Sequence, residues 1–231
     1  MNSYSIDILF IDEKSDWANP LVANYAWDLD PDLVITRGSM ETPEQYLPDK
    51  PLESPWEVCI SMGYHWQYVG EDNYKDGGKL IKVLIETRAK GGNLLLNVGP
   101  DAHGKIPEQQ ENRLREIGLW YMANHEAIEN VRPWQVTDEN GVWFTKSRDS
   151  RYVYAFVDGY NWKWMEEKAF LFRSLSGSSK TKVSILGQNE LMMEYQMYRS
   201  PKTVFSMVDE GIFVNVTKAQ RLNKTWDNPL V

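Results

Sequence analysis

Four short, nearly unbroken apolar runs in the first half of the chain constrain its fold more than any other feature. They are "IDILFI" (Ile6–Ile11), "PDLVITRG" (Pro31–Gly38), "PWEVCISM" (Pro55–Met62) and "NLLLNV" (Asn93–Val98). A strand with one wet face alternates apolar and polar residues, whereas a run apolar at successive positions is buried on both faces, as in a helix-covered parallel sheet. A polar, aromatic segment follows the first run, through Trp27. Before the fourth run, Lys79–Lys90 spaces Leu80, Ile81, Leu84 and Ile85 as one helical stripe, and Gly91–Gly92 stops that helix. A second helix is predicted from Pro107 to about His125, with Leu114, Ile117, Gly118 and Tyr121 facing inward.

The texture changes after Arg132–Trp134. "GVWFTKS", "RYVYAFVDG", "KAFLFRSL", "TKVSILG", "MEYQMY" and "GIFVNVTK" are short, β-branched and aromatic runs separated by turn residues. That pattern predicts an antiparallel β-sandwich over residues 133–231. Residues 1–132 read as part of an α/β barrel, supplying four strands where a closed barrel has about eight. The expected fold class is therefore α/β plus all-β: the C-terminal portion of a (β/α)8-like, TIM-like barrel followed by a sandwich.

Composition narrows the function classes. A formal charge of −8 disfavours a nucleic-acid partner and an anionic membrane surface. The single cysteine, Cys59, excludes an internal disulfide, and three scattered histidines show no metal-ligand spacing. No metal and no cofactor are expected. No run approaches transmembrane length, and "MNSYSIDILFID" enters a strand instead of reading as a signal peptide. Ten Trp and twelve Tyr suit two readings equally: sugar-facing rings, or the aromatic core of a β-rich protein.

Polar or charged residues close the apolar runs: Asp12, Arg37 and Asn97, with Glu57 inside its strand. In α/β barrels the C-terminal strand ends carry the chemistry. The phrases "AKGGNLLLNVGP", "HGKIP", "ENRLREIG" and "NHEAIEN", in that order, resemble glycoside hydrolase family 29, the α-L-fucosidases, and the resemblance runs over roughly residues 6 to 130. It implies a retaining hydrolase that releases terminal L-fucose from a fucosylated oligosaccharide or glycoconjugate. Two carboxyls are needed, roughly 5–5.5 Å apart across the anomeric carbon. The family's nucleophile phrase falls on "DILFID" and marks Asp12, with Phe10 where a Trp is usual. The phrase "METPEQ" aligns Glu44 with the general acid/base and leaves Glu41 and Glu57 as reserves. Thr42-Pro43 suggests a helix start that would put Glu44 in a first turn. Arg37 and Trp66 match sugar-pocket residues, although Gln67 replaces a usual Gly after Trp66. Asn97, Gly99 and Pro100 look architectural, turning the backbone beneath the pocket.

The family's early barrel strands and their sugar-binding histidines correspond to nothing in this sequence. The expected partners are therefore the substrate glycan and either an N-terminal barrel half or a second copy of the chain. The family implies an extracellular, periplasmic or lysosomal location. The alternative reading is a catalytically incompetent remnant or a non-catalytic glycan-binding module.

Overall fold

A computed structural model describes residues 5–12, 18–188, 201, 203–220 and 227–231. The apolar runs become parallel strands in two pairs. β1 (Ile8–Phe10) lies beside β2 (Val34–Thr36), and β3 (Glu57–Ser61) beside β4 (Asn93–Asn97). Residues 41–45 run parallel along the free side of β3. Glu57 N donates to Glu41 O at 3.0 Å, Cys59 N to Pro43 O at 2.9 Å and Gln45 N to Cys59 O at 2.9 Å. This overturns the expected helix start at Thr42-Pro43. The decisive factor is β3 itself, whose backbone groups on that side find their partners here.

Three helices cover the outer faces. α1 (Ala18–Leu29) occupies most of the segment that the sequence marks only as polar and aromatic. Its buried alanines, Ala23 and Ala26, meet Leu9, Ile11 and Ile35. Short side chains at the contact let the helix approach the strands closely, and they give little hydrophobic periodicity to read. α2 (Gly77–Ala89) buries Leu80, Ile81 and Ile85, as its spacing predicts. α3 (Glu108–Asn124) begins after Pro107 but buries Gln110, Trp120 and Asn124, while Leu114 is exposed and Ile117 and Tyr121 are half-buried. Its deepest face thus differs from the predicted stripe. Trp120 is held by an indole N–H bond to Pro229 O at 2.8 Å.

The double glycine has two separate causes. Gly91 closes α2 with φ 83°, a conformation that favours glycine. Gly92 has no room for a side chain, because a Cβ there would lie 2.4 Å from the Trp56 indole. Trp56 packs with Val58, Ile60 and Leu94 under Val83 of α2.

From Val131 onward the sheets are antiparallel. One has the order β5 (Val131–Glu139), β6 (Val142–Ser147), β7 (Val153–Phe156). The other has β8 (Glu167–Phe172) and β9 (Thr203–Val208) flanking β10 (Gly211–Thr217). Their shared core contains Phe144, Trp162, Phe172, Ile212 and Val214. "TKVSILG" forms no strand, β9 was not anticipated, and "MEYQMY" lies outside the described residues. A further core joins Ile81, Ile85 and Trp120 to Phe156, so the helices pack directly on the first antiparallel sheet.

Candidate active site

Alternation along the parallel strands decides which side chains share a face. Leu9, Ile11 and Ile35 face α1, and Val58, Ile60 and Leu94 face α2. Phe10 and Asp12, Thr36, Cys59 and Ser61, and Leu95 and Asn97 therefore belong to the opposite face, while at the start of β4 Asn93 accepts a bond from Arg88 of α2 at 2.8 Å. Asp12 lies beyond the C-terminal end of β1 and Arg37 beyond that of β2.

On this face the structure brings Asp12, Arg37 and Glu44 together. Arg37 Nη1 lies 3.1 Å from Asp12 Oδ1 and also donates to Glu44 Oε1. Two contacts on one nitrogen limit the carboxyl separation to on the order of 6 Å, twice a hydrogen-bond length. The Arg37 side chain is 14% exposed and covers the Phe10 ring at 5.7 Å, whereas Asp12 is 84% exposed. The cluster is therefore a shielded cation holding an open carboxylate. Its backbone is unusual: Arg37 has φ 36° and Gln45 has φ 62°. Non-glycine residues in this region are uncommon, though Asn130, Asn140, Ser150, Asn161 and Met165 share it elsewhere in the chain. Thr42 Oγ1 accepts the Arg37 N–H at 3.0 Å and fixes the first of these bends.

The reserve carboxylates sit differently. Glu41 is exposed and contributes its backbone to β3. Glu57 lies at the start of β3, in a cleft lined also by Arg88, Asn93, Tyr121 and Glu129. Burial pushes its carboxyl above the ordinary glutamate range, and the Thr36 hydroxyl pulls the other way. Burial also raises the Cys59 thiol, with the Glu44 charge adding to the effect.

Trp66 lies on the loop after β3, held by Asn97 Nδ2 donating to its carbonyl at 2.7 Å. None of the contacts described for Trp66 joins it to the Asp12–Arg37–Glu44 cluster. Below it, Gly99 is pressed against the backbone of Gln67 and Tyr68, where a Cβ would come within 2.8 Å. The strand-end turn thus supports the Trp66 loop, which is why it carries a glycine.

The same loop is fastened by residues that sequence reasoning missed. Asp72 accepts the N–H groups of Tyr64 at 3.1 Å, His65 at 3.3 Å and Asn73 at 2.8 Å. Burial works against its charge, but these bonds win and hold its carboxyl below the usual range. Lys75 Nζ donates to Ser61 O at 2.7 Å and Gly63 O at 3.0 Å. Ser61 Oγ donates to Gly63 O at 2.6 Å and accepts from Gln45 Nε2 at 2.7 Å. Gly63 belongs to the same unit, since a side chain there would collide with Asp72.

A sequence profile of the family described as Alpha-L-fucosidase matches residues 1–126. The chain belongs to the alpha-L-fucosidase family. Among curated family relatives, the Alpha-L-fucosidase of Dictyostelium discoideum is 34% identical over 148 residues, covering 62% of this chain and 31% of that protein. That of Branchiostoma floridae is 39% identical over 121 residues, covering 49% and 26%. The chain thus spans about a third of the length of such relatives. Its fold is that of solved alpha-L-fucosidases. The Vibrio sp. strain EJY3 structure matches with TM-score 0.68 and 21% identity over 94% of this chain and 39% of that one. The Thermotoga maritima structure matches with TM-score 0.67 and 19% identity over 97% and 51%.

Proposed function

We propose that this chain carries the catalytic carboxylates of a retaining alpha-L-fucosidase, acting on terminal L-fucose of fucosylated glycans. The observation that carries the reading is the shared Arg37 contact of Asp12 and Glu44 at the C-terminal ends of parallel strands. Residues 1–132 are then the later strands of a (β/α)8-like barrel, and residues 133–231 a β-sandwich domain. A longer polypeptide, or another chain, supplies the remaining barrel wall.

The steps follow from the carboxyl pair. Asp12 attacks C1 of fucose, forming a glycosyl ester, as the glycosidic C–O bond breaks and Glu44 gives its proton to the leaving oxygen. Glu44, now a base, takes a proton from water. That water attacks C1, releases fucose and restores the Asp12 carboxylate. Arg37 holds the two carboxylates near each other before substrate enters, and its guanidinium can then bond sugar hydroxyls. Trp66 supplies an apolar wall for the sugar's C–H face.

A non-catalytic glycan-binding role is the second reading, favoured by the openness of Asp12 and of neighbouring apolar residues. The deciding experiment is Asp12→Gly in the complete gene product, assayed on an aryl α-L-fucoside with and without azide. Turnover should fall by several orders of magnitude and recover in part as azide fills the vacated position. Retention of activity within a few-fold of the parent removes the nucleophile assignment, and an inactive parent that still binds L-fucose supports the second reading.

A further inference from the structure

Two exposed tyrosines emerge from one hydrogen-bonded unit beside Glu44. Tyr64 is 75% exposed and Tyr46 is 63% exposed. Tyr46 directly follows Gln45, and Tyr64 directly follows Gly63. Gln45 Nε2 donates to Ser61 Oγ at 2.7 Å, the Ser61 N–H donates to Gln45 Oε1 at 3.3 Å, and Ser61 Oγ donates to Gly63 O at 2.6 Å. Asp72 then fixes the Tyr64 backbone N–H. Both side chains are exposed; the backbone just before Tyr46 is tied to β3 through the Gln45 N–H, and that of Tyr64 is held by Asp72.

We infer that Tyr46 and Tyr64 form the binding surface for the sugar that bears the fucose, the leaving-group residue of the substrate. The inference rests on the hydrolase reading above. A general acid must stand beside the leaving oxygen to protonate it, so groups anchored next to Glu44 lie on the leaving-group side, with Asp12 on the other face of the fucose ring. A tyrosine offers a pyranose a flat apolar face for its C–H groups and a hydroxyl for its rim. Rigid backbones lower the ordering cost of such a contact. Binding energy from this non-reacting sugar can also be used in the transition state, so its loss reaches kcat as well as KM.

The test compares two substrates in the complete gene product. A fucosyl disaccharide presents the second sugar, and α-L-fucosyl fluoride lacks it. Tyr64→Ala and Tyr46→Ala should lower the ratio of kcat/KM for the disaccharide over the fluoride by roughly tenfold or more. Tyr64→Phe, which keeps the ring, should recover most of the ratio. Equal losses on both substrates would mean a structural role only and overturn the inference. A parent that turns over neither substrate overturns the hydrolase reading and this inference with it.

Discussion

The side chain of Gln110 grips the backbone of Gly99 from both sides. Its Oε1 accepts the Gly99 N–H at 2.9 Å, and its Nε2 donates to Gly99 O at 3.2 Å and to the Tyr74 hydroxyl at 3.1 Å. Helix α3 thereby holds the turn on which the Trp66 loop rests. Gln110 is buried, so Gln110→Ala strands a buried N–H and a buried carbonyl. An unsatisfied buried polar group costs about 1–3 kcal/mol. Denaturant unfolding should show a loss of that order, with Gln110→Glu also destabilised because an ionised carboxylate cannot donate. A change below ~0.5 kcal/mol in Gln110→Ala would mean that water replaces the amide without cost.

Glu57 should make stability depend on pH. Its carboxyl is raised above the ordinary value of 4.5 chiefly by burial. The folded state therefore holds this proton more tightly than the unfolded state. The sign follows: the contribution of Glu57 is most favourable at acid pH and declines as pH rises from near 4.5 through the higher folded value. Glu57→Gln cannot ionise and removes the decline. Melting temperatures of parent and variant should differ little at pH 4, diverge above it in favour of the variant, and hold a constant gap once pH exceeds the folded value. A gap that is widest at pH 4 contradicts the desolvation account.

Glu44 and Glu41 can be separated kinetically. Glu44 is partly buried against Arg37, and Glu41 is an exposed residue at the edge of β3. A general acid matters most when the departing oxygen is a poor leaving group, and such groups contribute typically ~10²–10⁴-fold. Glu44→Ala should slow unactivated fucosides by an amount in that range and activated aryl fucosides much less. Glu41→Ala should change both little. The reverse pattern moves the acid/base role to Glu41.

The parallel strands and α2 are legible in the sequence because their signal is local: unbroken apolar runs, one helical stripe, and glycines at the stop. The site is legible only through resemblance. Nothing in the spacing of Asp12, Arg37 and Glu44 says that one guanidinium joins them, because strand order and two left-handed residues create that meeting. α1 hides because its contact residues are alanines. Gln110 and Asp72 hide because a polar residue that bonds distant backbone looks, in sequence, like one that bonds water. The Thr42-Pro43 segment reads as a helix start from its own residues, and the backbone of β3 draws it alongside instead.

Residues 1–231 expressed alone should associate. The sheet face bearing Phe10 also carries Ile8, 60% exposed, together with the exposed Val34 and Leu95, although Thr36 and Cys59 on it are buried. These residues belong to runs that are apolar at successive positions, the pattern of strands covered on both faces. Among the described residues, the three helices leave Ile8, Val34 and Leu95 exposed. β4 pairs with β3 alone among the described strands, so its other edge offers unpaired backbone groups. Such a surface favours association. Asp12 is also 84% exposed, so little among the described residues holds fucose in line with it, and orientation of that kind is worth roughly 7–11 kcal/mol. The chain alone should therefore self-associate in sedimentation experiments, bind a hydrophobic dye, and leave an aryl α-L-fucoside unhydrolysed. Leu95→Lys with Ile8→Lys should reduce association and dye binding without creating activity. A dye-silent monomer that hydrolyses the fucoside would show that this face needs no cover and that the pocket is complete within these residues.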